Sequence, residues 1–284
     1  MNQTATNDLP PEGHIRLRLQ IAYDGTGFDG WQSQPHGRTV QDALERAFAE
    51  LVGRRVVIHG SGRTDAGVHA LAQIAHVDVP EARLTPEAWV GALNARLSPL
   101  VRVVSSKKAA AGFHARFSAT GKVYSYRVWN DRVMRPTEVN RAWHAPIPAD
   151  LAILRHAAEL LVGTHDFAPF SAKRHPGETD TIRTIHQIHI SKSGPLITLR
   201  FEGNGFLYRM VRLLTGSLIR VATGKSDAQW LQSFLTNPTG PRSSFCADAE
   251  GLYLTRVLYG SGGKIPKESR RRKSITEAPH SPRP

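Results

Sequence analysis

The apolar and polar residues near the start of the chain alternate and then change period. Along residues 15–23 every second residue is apolar, which is the period of a β-strand with one buried face. Along residues 40–51 the apolar positions recur every three or four residues, which predicts an amphipathic helix. Thr39 and Asp42 have the spacing of a capping box, and Gly53 is a typical helix end. The pattern therefore predicts a strand followed by a helix.

The same order of elements is predicted twice along the chain. Each half has the order β-α-β-β-α-β, and the second half carries one extra short helix. This is the split order of ferredoxin-like folds, whose strands form a largely antiparallel sheet with helices on one face. The predicted strands are residues 15–23, 56–59, 72–79, 101–104, 122–129, 184–191, 196–202 and 251–259, and the predicted helices are residues 40–51, 85–97, 150–161, 206–222 and 227–235.

These elements predict an α+β fold made of two ferredoxin-like halves. The halves cover residues 14–110 and 111–260, and we expect their sheets to lie side by side with an active-site cleft between them. Residues 1–13 and 261–284 are poor in apolar side chains and are predicted to be disordered tails. The second tail is basic, so it is either a solvated tail or a nonspecific RNA-binding extension.

Charge and cysteine content narrow the class of protein. The chain of 284 residues has a formal net charge of +13, and only a small part of this charge lies in the two tails. Such a surface attracts a polyanion, with nucleic acid ahead of an acidic membrane. Cys246 is the single cysteine, which excludes an internal disulfide and favours a reducing compartment. No signal peptide or bilayer-length apolar segment is visible, so we expect a cytoplasmic protein. The scattered histidines do not have metal-ligand spacing.

One glycine-rich loop holds the best candidate for chemistry. Residues 60–70 read Gly-Ser-Gly-Arg-Thr-Asp-Ala-Gly-Val-His-Ala, and Asp65 stands between small residues. Glycines let the backbone approach a ligand closely, and Arg63 is able to meet phosphate or balance the carboxylate. On the residues alone, Asp65 is either a catalytic carboxylate or the cap of its own turn.

This loop and several later blocks resemble the bacterial tRNA pseudouridine synthase A family. The loop matches the family signature over Gly-Arg-Thr-Asp-Ala-Gly-Val-His-Ala. The other matching blocks follow in order along most of the chain, and together they are far more specific than one motif. They are Tyr23-Asp24-Gly25 with Gly30-Trp31-Gln32, Phe113-His114-Ala115-Arg116-Phe117, Tyr124-Ser125-Tyr126, Phe206-Leu207-Tyr208-Arg209-Met210-Val211-Arg212 and Gly251-Leu252-Tyr253-Leu254.

The resemblance implies a catalytic group of three side chains. Asp65 matches the catalytic aspartate, Arg212 matches the arginine that pairs with it, and Tyr124 matches the tyrosine that stacks on the target uracil. A buried carboxylate keeps its charge only beside a positive group, so an arginine partner is reasonable. From helical pattern alone Arg212 would be a surface residue. Without the resemblance, both Tyr124 and Tyr126 would be assigned to the core, since they share one face of a strand.

The resemblance also implies RNA contacts. Arg63 matches the arginine that supports base flipping, with a bare phosphate contact as the alternative, and Arg83 matches another tRNA contact. The block Phe113, His114, Ala115, Arg116 and Phe117 mixes basic and aromatic residues, as nucleic-acid surfaces often do. The segment 173–180 falls where the family has an RNA-contacting loop, but its sequence matches no pattern.

Two other functions are alternatives to the one that the resemblance implies. Residues 25–30 satisfy G-x-G-x-x-G after a strand, but no helix follows at once, which argues against a nucleotide cofactor. A catalytically silent RNA-binding protein with two ferredoxin-like modules would give no reason for Asp65. The resemblance implies an isomerase that converts uridine to pseudouridine at positions 38, 39 and 40 of the tRNA anticodon arm, as a homodimer. It would use no cofactor and no metal and would not bind a membrane.

Overall fold

The computed structural model describes residues 9–172 and 180–260. The predicted tails therefore lie outside the described residues, apart from residues 9–13, and so does nearly all of the segment 173–180. The strands are β1 His14–Tyr23, β2 His59–Gly60, β3 His69–Pro80, β4 Val101–Lys108, β5 Ala119–Trp129, β6 Trp143–His144, β7 Gly163–Asp166, β8 Ile182–Ser193, β9 Leu196–Gly203 and β10 Leu252–Tyr259; the helices are α1 Val40–Val52, α2 Pro86–Asn94, α3 Leu151–Glu159, α4 Met210–Ala222 and α5 Ala228–Thr236.

One large mixed sheet organises this α+β fold. Its strand order is β4-β1-β3-β10-β5-β9-β8-β7, with β2 on β3 and β6 on β5. All of these pairings are antiparallel except β3 with β10 and β5 with β6. The β3–β10 pairing joins the first half of the chain to the second, where His69 lies opposite Tyr253 and Ala70 lies opposite Leu254. The two halves therefore meet directly after the glycine-rich loop.

The first strand and helix form as their patterns predict. Leu17, Leu19 and Ile21 of β1 are fully buried. Thr39 and Asp42 form the capping box at the start of α1, and Gly53 ends the helix in the left-handed conformation. The buried face of α1 packs against α2 through the aromatic side chains of Phe48 and Trp89, whose ring centroids are 5.2 Å apart. These contacts give the first half a continuous apolar core.

Four predicted elements are shorter than their patterns suggest, among them the helices predicted over residues 85–97 and 150–161, which are Pro86–Asn94 and Leu151–Glu159. The strand predicted over residues 56–59 contains only His59–Gly60, because the Ile58 amide donates to the side chain of Glu45 instead of a neighbouring strand. The helix predicted from residue 206 begins at Met210. Arg209 precedes it with φ 59°, a left-handed conformation that cannot continue a right-handed helix. Residues 206–209 therefore form a turn ahead of α4.

No helix in the described ranges combines the length and the apolar character needed to cross a bilayer.

Candidate active site

The glycine-rich loop between β2 and β3 is fixed from below by buried polar contacts. The Gln73 amide of β3 donates to the Gly62 carbonyl at 2.8 Å, and the Ser61 hydroxyl donates to Gln73 Oε1 at 2.8 Å. The Thr64 hydroxyl lies 2.8 Å from the Tyr23 hydroxyl at the end of β1. Because buried polar groups lose free energy when unpaired, these bonds hold the loop in one conformation.

The segment before α1 supports the other side of this loop. The Trp31 amide donates to the Thr64 carbonyl at 3.1 Å. Gly30 has φ 91°, and a Cβ there would lie 2.6 Å from the same carbonyl oxygen, so the close approach requires glycine. The amide of Val40, the first residue of α1, donates to the Gly30 carbonyl. The G-x-G-x-x-G segment is thus a support for the loop.

Asp65 faces two arginines from the second half of the chain. Arg212 Nη1 donates to Asp65 Oδ2 at 3.0 Å, and Arg209 Nε lies 3.9 Å from the same oxygen. The side chains of Asp65 and Arg212 are 17% and 12% exposed, whereas Arg209 is 42% exposed. The carboxylate is therefore partly enclosed in a positive environment, with one face still open to a ligand.

A second contact fixes the orientation of Arg212. Its Nε donates to the Ala247 carbonyl at 2.8 Å, and the Ala247 amide donates back to the Arg212 carbonyl. A Cβ at Gly216, one turn further along α4, would lie 1.9 Å from the Phe245 carbonyl oxygen. Glycine at this position therefore lets α4 lie against the loop 245–247. The guanidinium group is held by the protein and presents its Nη1 to Asp65.

Tyr124 lies beside this ion pair at the centre of the sheet. Its ring meets Phe206 edge to face, with the centroids 5.2 Å apart. Burial raises the pKa of the Tyr124 hydroxyl, and the nearby Tyr23 and Asp65 add to this effect. The hydroxyl therefore stays protonated and neutral. Tyr126 is fully buried and donates to the Asp248 carbonyl, as expected for a core residue.

Arg63 and Arg83 differ in their distance from Asp65. Arg63 is exposed on the same loop and donates through Nε to Gln32 at 3.1 Å. Arg83 is also exposed, but it follows the far end of β3. At about 3.3 Å per residue that strand is roughly 35 Å long. Of these two arginines, Arg63 shares the loop of Asp65, two residues before it, while Arg83 lies past the other end of β3.

Two of the five side chains in the block 113–117 are exposed. Ala115 is buried, and its amide donates to Nδ1 of His76 at 3.1 Å. Arg116 and Phe117 are exposed. His114 stacks on the Phe117 ring at 4.3 Å and accepts two backbone amides on Nδ1. Phe113 packs on Tyr259. The backbone is anchored through Ala115, so that Arg116 and Phe117 point outward.

Two features of the site were not predicted from sequence. Arg209 lies in one of the matching blocks but has no role predicted from the sequence, and its approach to Asp65 depends on the left-handed turn before α4. The Ala247 carbonyl comes from a loop with no recognisable motif. The only sequence signal for Arg209 is its position about one turn before Arg212, at the start of an apolar helix.

Other possible ligand sites lie away from Asp65. A cavity of about 500 Å³ opens between residues 143–147, the outer surface of α4 and residues 244–247, and Asp65 does not line it. Within the described ranges, no group of three histidine, cysteine or acidic side chains has the geometry of a metal site.

The fold and the site together define a class of protein. A basic α+β chain that encloses one carboxylate between guanidinium groups, with exposed basic and aromatic side chains nearby, has the features of an enzyme that acts on nucleic acid. A sequence model described as tRNA pseudouridine synthase matches residues 20–118 and 157–260. The chain belongs to this family.

Individual relatives match over most of their length. A protein of Akkermansia muciniphila named tRNA pseudouridine synthase A is 46% identical over 86% of this chain and 95% of its own. A protein of the same name from Solidesulfovibrio magneticus is 44% identical over 87% and 92% of the two chains. Among solved structures, a Cbf5–Nop10–Gar1 complex aligns with a TM-score of 0.34 at 10% identity, over 84% of this chain and 48% of that one. This structural likeness is too weak to support a conclusion.

Proposed function

We propose that this protein converts uridine to pseudouridine in tRNA, at positions 38, 39 and 40 of the anticodon arm, with Asp65 as the essential carboxylate. The observation that carries the proposal is the ion pair between Asp65 and Arg212, which is assembled from both halves of the chain. Relatives that match almost end to end are named tRNA pseudouridine synthase A. The net charge of +13 suits a polyanionic substrate.

The reaction is an isomerisation in which atoms and electrons balance. The bond from C1′ of the ribose to N1 of uracil breaks, the base turns, and C1′ joins C5. The proton on C5 is released and N1 gains one. A charged carboxylate is suited to attack an electrophilic carbon, to stabilise a cationic sugar or to take a proton. Asp65 would therefore act on the sugar, on the pyrimidine or through a glycal, and Arg212 would orient it through the hydrogen bond from its Nη1.

A paired uridine must leave its helix before Asp65 can reach the glycosidic bond. Arg63 is exposed on the loop of Asp65, which suits it to fill the space that the extruded base leaves. Tyr124 is suited to stack on the base, because its ring lies beside Asp65 with a neutral hydroxyl. Arg116 and Phe117 would contact RNA close to this point, whereas Arg83 would contact a distant segment of the tRNA.

The architecture supports this assignment. The strand orders β4-β1-β3-β2 and β10-β5-β9-β8 are those expected of two ferredoxin-like halves, and the active-site cleft would lie between them. We propose that the protein works in the cytoplasm as a homodimer without a cofactor. Sedimentation analysis of the free protein tests the dimer, and a monomer at micromolar concentration would refute it.

The Asp65→Asn variant tests the function. The assay measures tritium release from 5-tritiated uridine in tRNA. We expect release to fall by about a thousandfold or more, since the amide cannot act as a nucleophile or base. Asp131→Asn, at an exposed loop position, is the matched control and should keep full activity. Undiminished release from Asp65→Asn would remove this residue from the mechanism, and no release by the wild type would favour a silent RNA-binding protein.

The Arg63→Ala variant tests base flipping. We expect it to slow turnover of a paired target uridine more than turnover of an unpaired one, because only the paired base leaves a gap in a helix. Arg63→Lys is the control that keeps the positive charge. Equal slowing on both targets would instead assign Arg63 to a phosphate contact.

A further inference from the structure

The side chain of Lys122 lies against the loop that carries Asp65. Lys122 is on β5, two residues before Tyr124, so both side chains project from the same face of the strand. A Cβ at Gly62 would lie 2.6 Å from Lys122 Nζ, which places this ammonium group directly against the loop backbone. Along the strand the two side chains are separated by about 7 Å, which is within the reach of one nucleotide.

The ammonium group has no partner of opposite charge. The side chain of Lys122 makes no hydrogen bond or ion pair with another residue of the described ranges, although its backbone pairs with β9 and β10. Burial and the nearby positive charges of Arg116 and Arg183 lower the pKa of Lys122 to about 8. Burying a charge is unfavourable unless it is paired. Among the described residues, this positive charge beside the candidate active site therefore has no counterion.

The charges around Lys122 are also of one sign. Arg116 is exposed at the edge of the block 113–117. Arg183 contacts Asp180 at 3.4 Å, but that carboxylate is 76% exposed, and an exposed ion pair contributes little. Arg116 and Arg183 thus add positive charge around Lys122, and the charges that shift its pKa are all positive. A group that only supported the loop through its aliphatic stem would not need this charge, since methionine would pack as well.

An anion from the substrate would satisfy this arrangement. Lysine is a compact charge with three donors, which suits a single phosphate oxygen, and arginines are suited to the same group. We propose that Lys122, together with Arg116 and Arg183, binds a backbone phosphate of the RNA directly 5′ or 3′ of the target uridine. This inference rests on the proposed function, because it assumes that the uridine lies between Asp65 and Tyr124. The bound phosphate would supply the counterion that the free protein lacks.

Neutral phosphates in the RNA provide the test. A tRNA assembled by ligation carries one uncharged methylphosphonate, either 5′ or 3′ of the target uridine, and its affinity is measured by fluorescence anisotropy. For the wild type we expect one of the two substitutions to weaken binding by about tenfold. Lys122→Met should bind the unmodified tRNA about tenfold more weakly than the wild type does. Its affinity should not fall further when the tRNA carries that methylphosphonate. Lys122→Arg should behave like the wild type, and so should Lys192→Met, a control at an exposed position on β8.

The outcomes separate this inference from the proposed function. If both methylphosphonates weaken Lys122→Met as much as they weaken the wild type, Lys122 binds neither phosphate and the proposal is wrong, even when tritium release is normal. If neither substitution affects the wild type, the proposal is also wrong, and this result does not depend on the folding of any variant. If the coupling is present but the wild type releases no tritium, the phosphate site stands and the proposed function fails.

Discussion

Replacing Lys122 with methionine should make the free protein more stable. Burial and the charges of Arg116 and Arg183 lower the pKa of the ammonium group from 10.5 to about 8. Each tenfold change in an acidity constant corresponds to about 1.4 kcal/mol, so keeping this group charged at pH 7 destabilises the fold by about 3 kcal/mol. Nζ retains some contact with solvent, which reduces the effect. We therefore expect Lys122→Met to raise the free energy of unfolding by about 2 kcal/mol.

The pH dependence follows from the direction of the pKa change. The folded pKa lies below the unfolded one, so between about pH 8 and 10.5 the unfolded chain binds more protons and wild-type stability rises with pH. Lys122→Met lacks this gain. The difference between the two proteins should therefore be largest near pH 7 and should fall to less than about 1 kcal/mol by pH 10, where the folded lysine is neutral and the unfolded one is still mostly charged.

Urea unfolding at pH 7 and at pH 10 measures the difference in the free energy of unfolding between Lys122→Met and the wild type. Tryptophan fluorescence and circular dichroism should give coincident transitions, which establishes that a single free energy is measured. Lys192→Met is the matched control and should stay within about 0.5 kcal/mol of the wild type at each pH. The reasoning is refuted if Lys122→Met is less stable than the wild type at pH 7, or if the difference does not change with pH. Either result would mean that the folded protein already compensates this charge.

Three further predictions concern the ion pair between Asp65 and Arg212, the support of the glycine-rich loop, and the buried His76 beneath residues 113–117. Arg212→Gln should slow tritium release by about a hundredfold or more, and Arg212→Lys should recover only part, since lysine cannot hold Asp65 and a loop carbonyl in one planar fork. Gly30→Ala should lower the free energy of unfolding by about 3 kcal/mol, because the new Cβ would clash with the Thr64 carbonyl. Gly27→Ala is the control: Gly27 has φ 82° but no neighbour within 4 Å, so this variant should lower the free energy of unfolding by only about 1 kcal/mol. Burial, with nearby positive charges, lowers the pKa of His76 to about 3, so the free energy of unfolding of the wild type should fall as the pH drops from 6.5 toward 3. For His76→Asn, thermal unfolding should show a free energy that depends less steeply on pH than that of the wild type, by about 1 kcal/mol per pH unit. Equal slopes for the two proteins would contradict this prediction.

Local pattern was sufficient for the parts of the fold that depend on neighbouring residues. The alternation in β1 and the capping box of α1 could be read directly, because each is set within a few positions along the chain. The start of α4 could not, since Arg209 adopts a left-handed conformation that its residue type does not signal. The two-residue pairing of β3 with β10 joins residues far apart in sequence, and no local period reports it.

In the candidate site, too, the sequence predicts only the features that depend on neighbouring residues. Glycines around Asp65 indicated a loop that approaches a ligand, but its pairing with Arg212 came from the family resemblance, because a helical pattern alone places that arginine on the surface. Lys122 gave no signal, since a lysine in a strand usually points to solvent. Only the three-dimensional position of its ammonium group, against the loop and beside other cations, distinguishes it.

The active site requires both halves to be in register. The loop of Asp65 is fixed within the first half, through Gln73 and Thr64, whereas its charge partner Arg212 is fixed within the second half, through Ala247. The β3–β10 pairing begins immediately after the loop, so it sets the distance between carboxylate and guanidinium through backbone hydrogen bonds. Because the two halves hold Asp65 and Arg212 separately, neither half alone forms this ion pair.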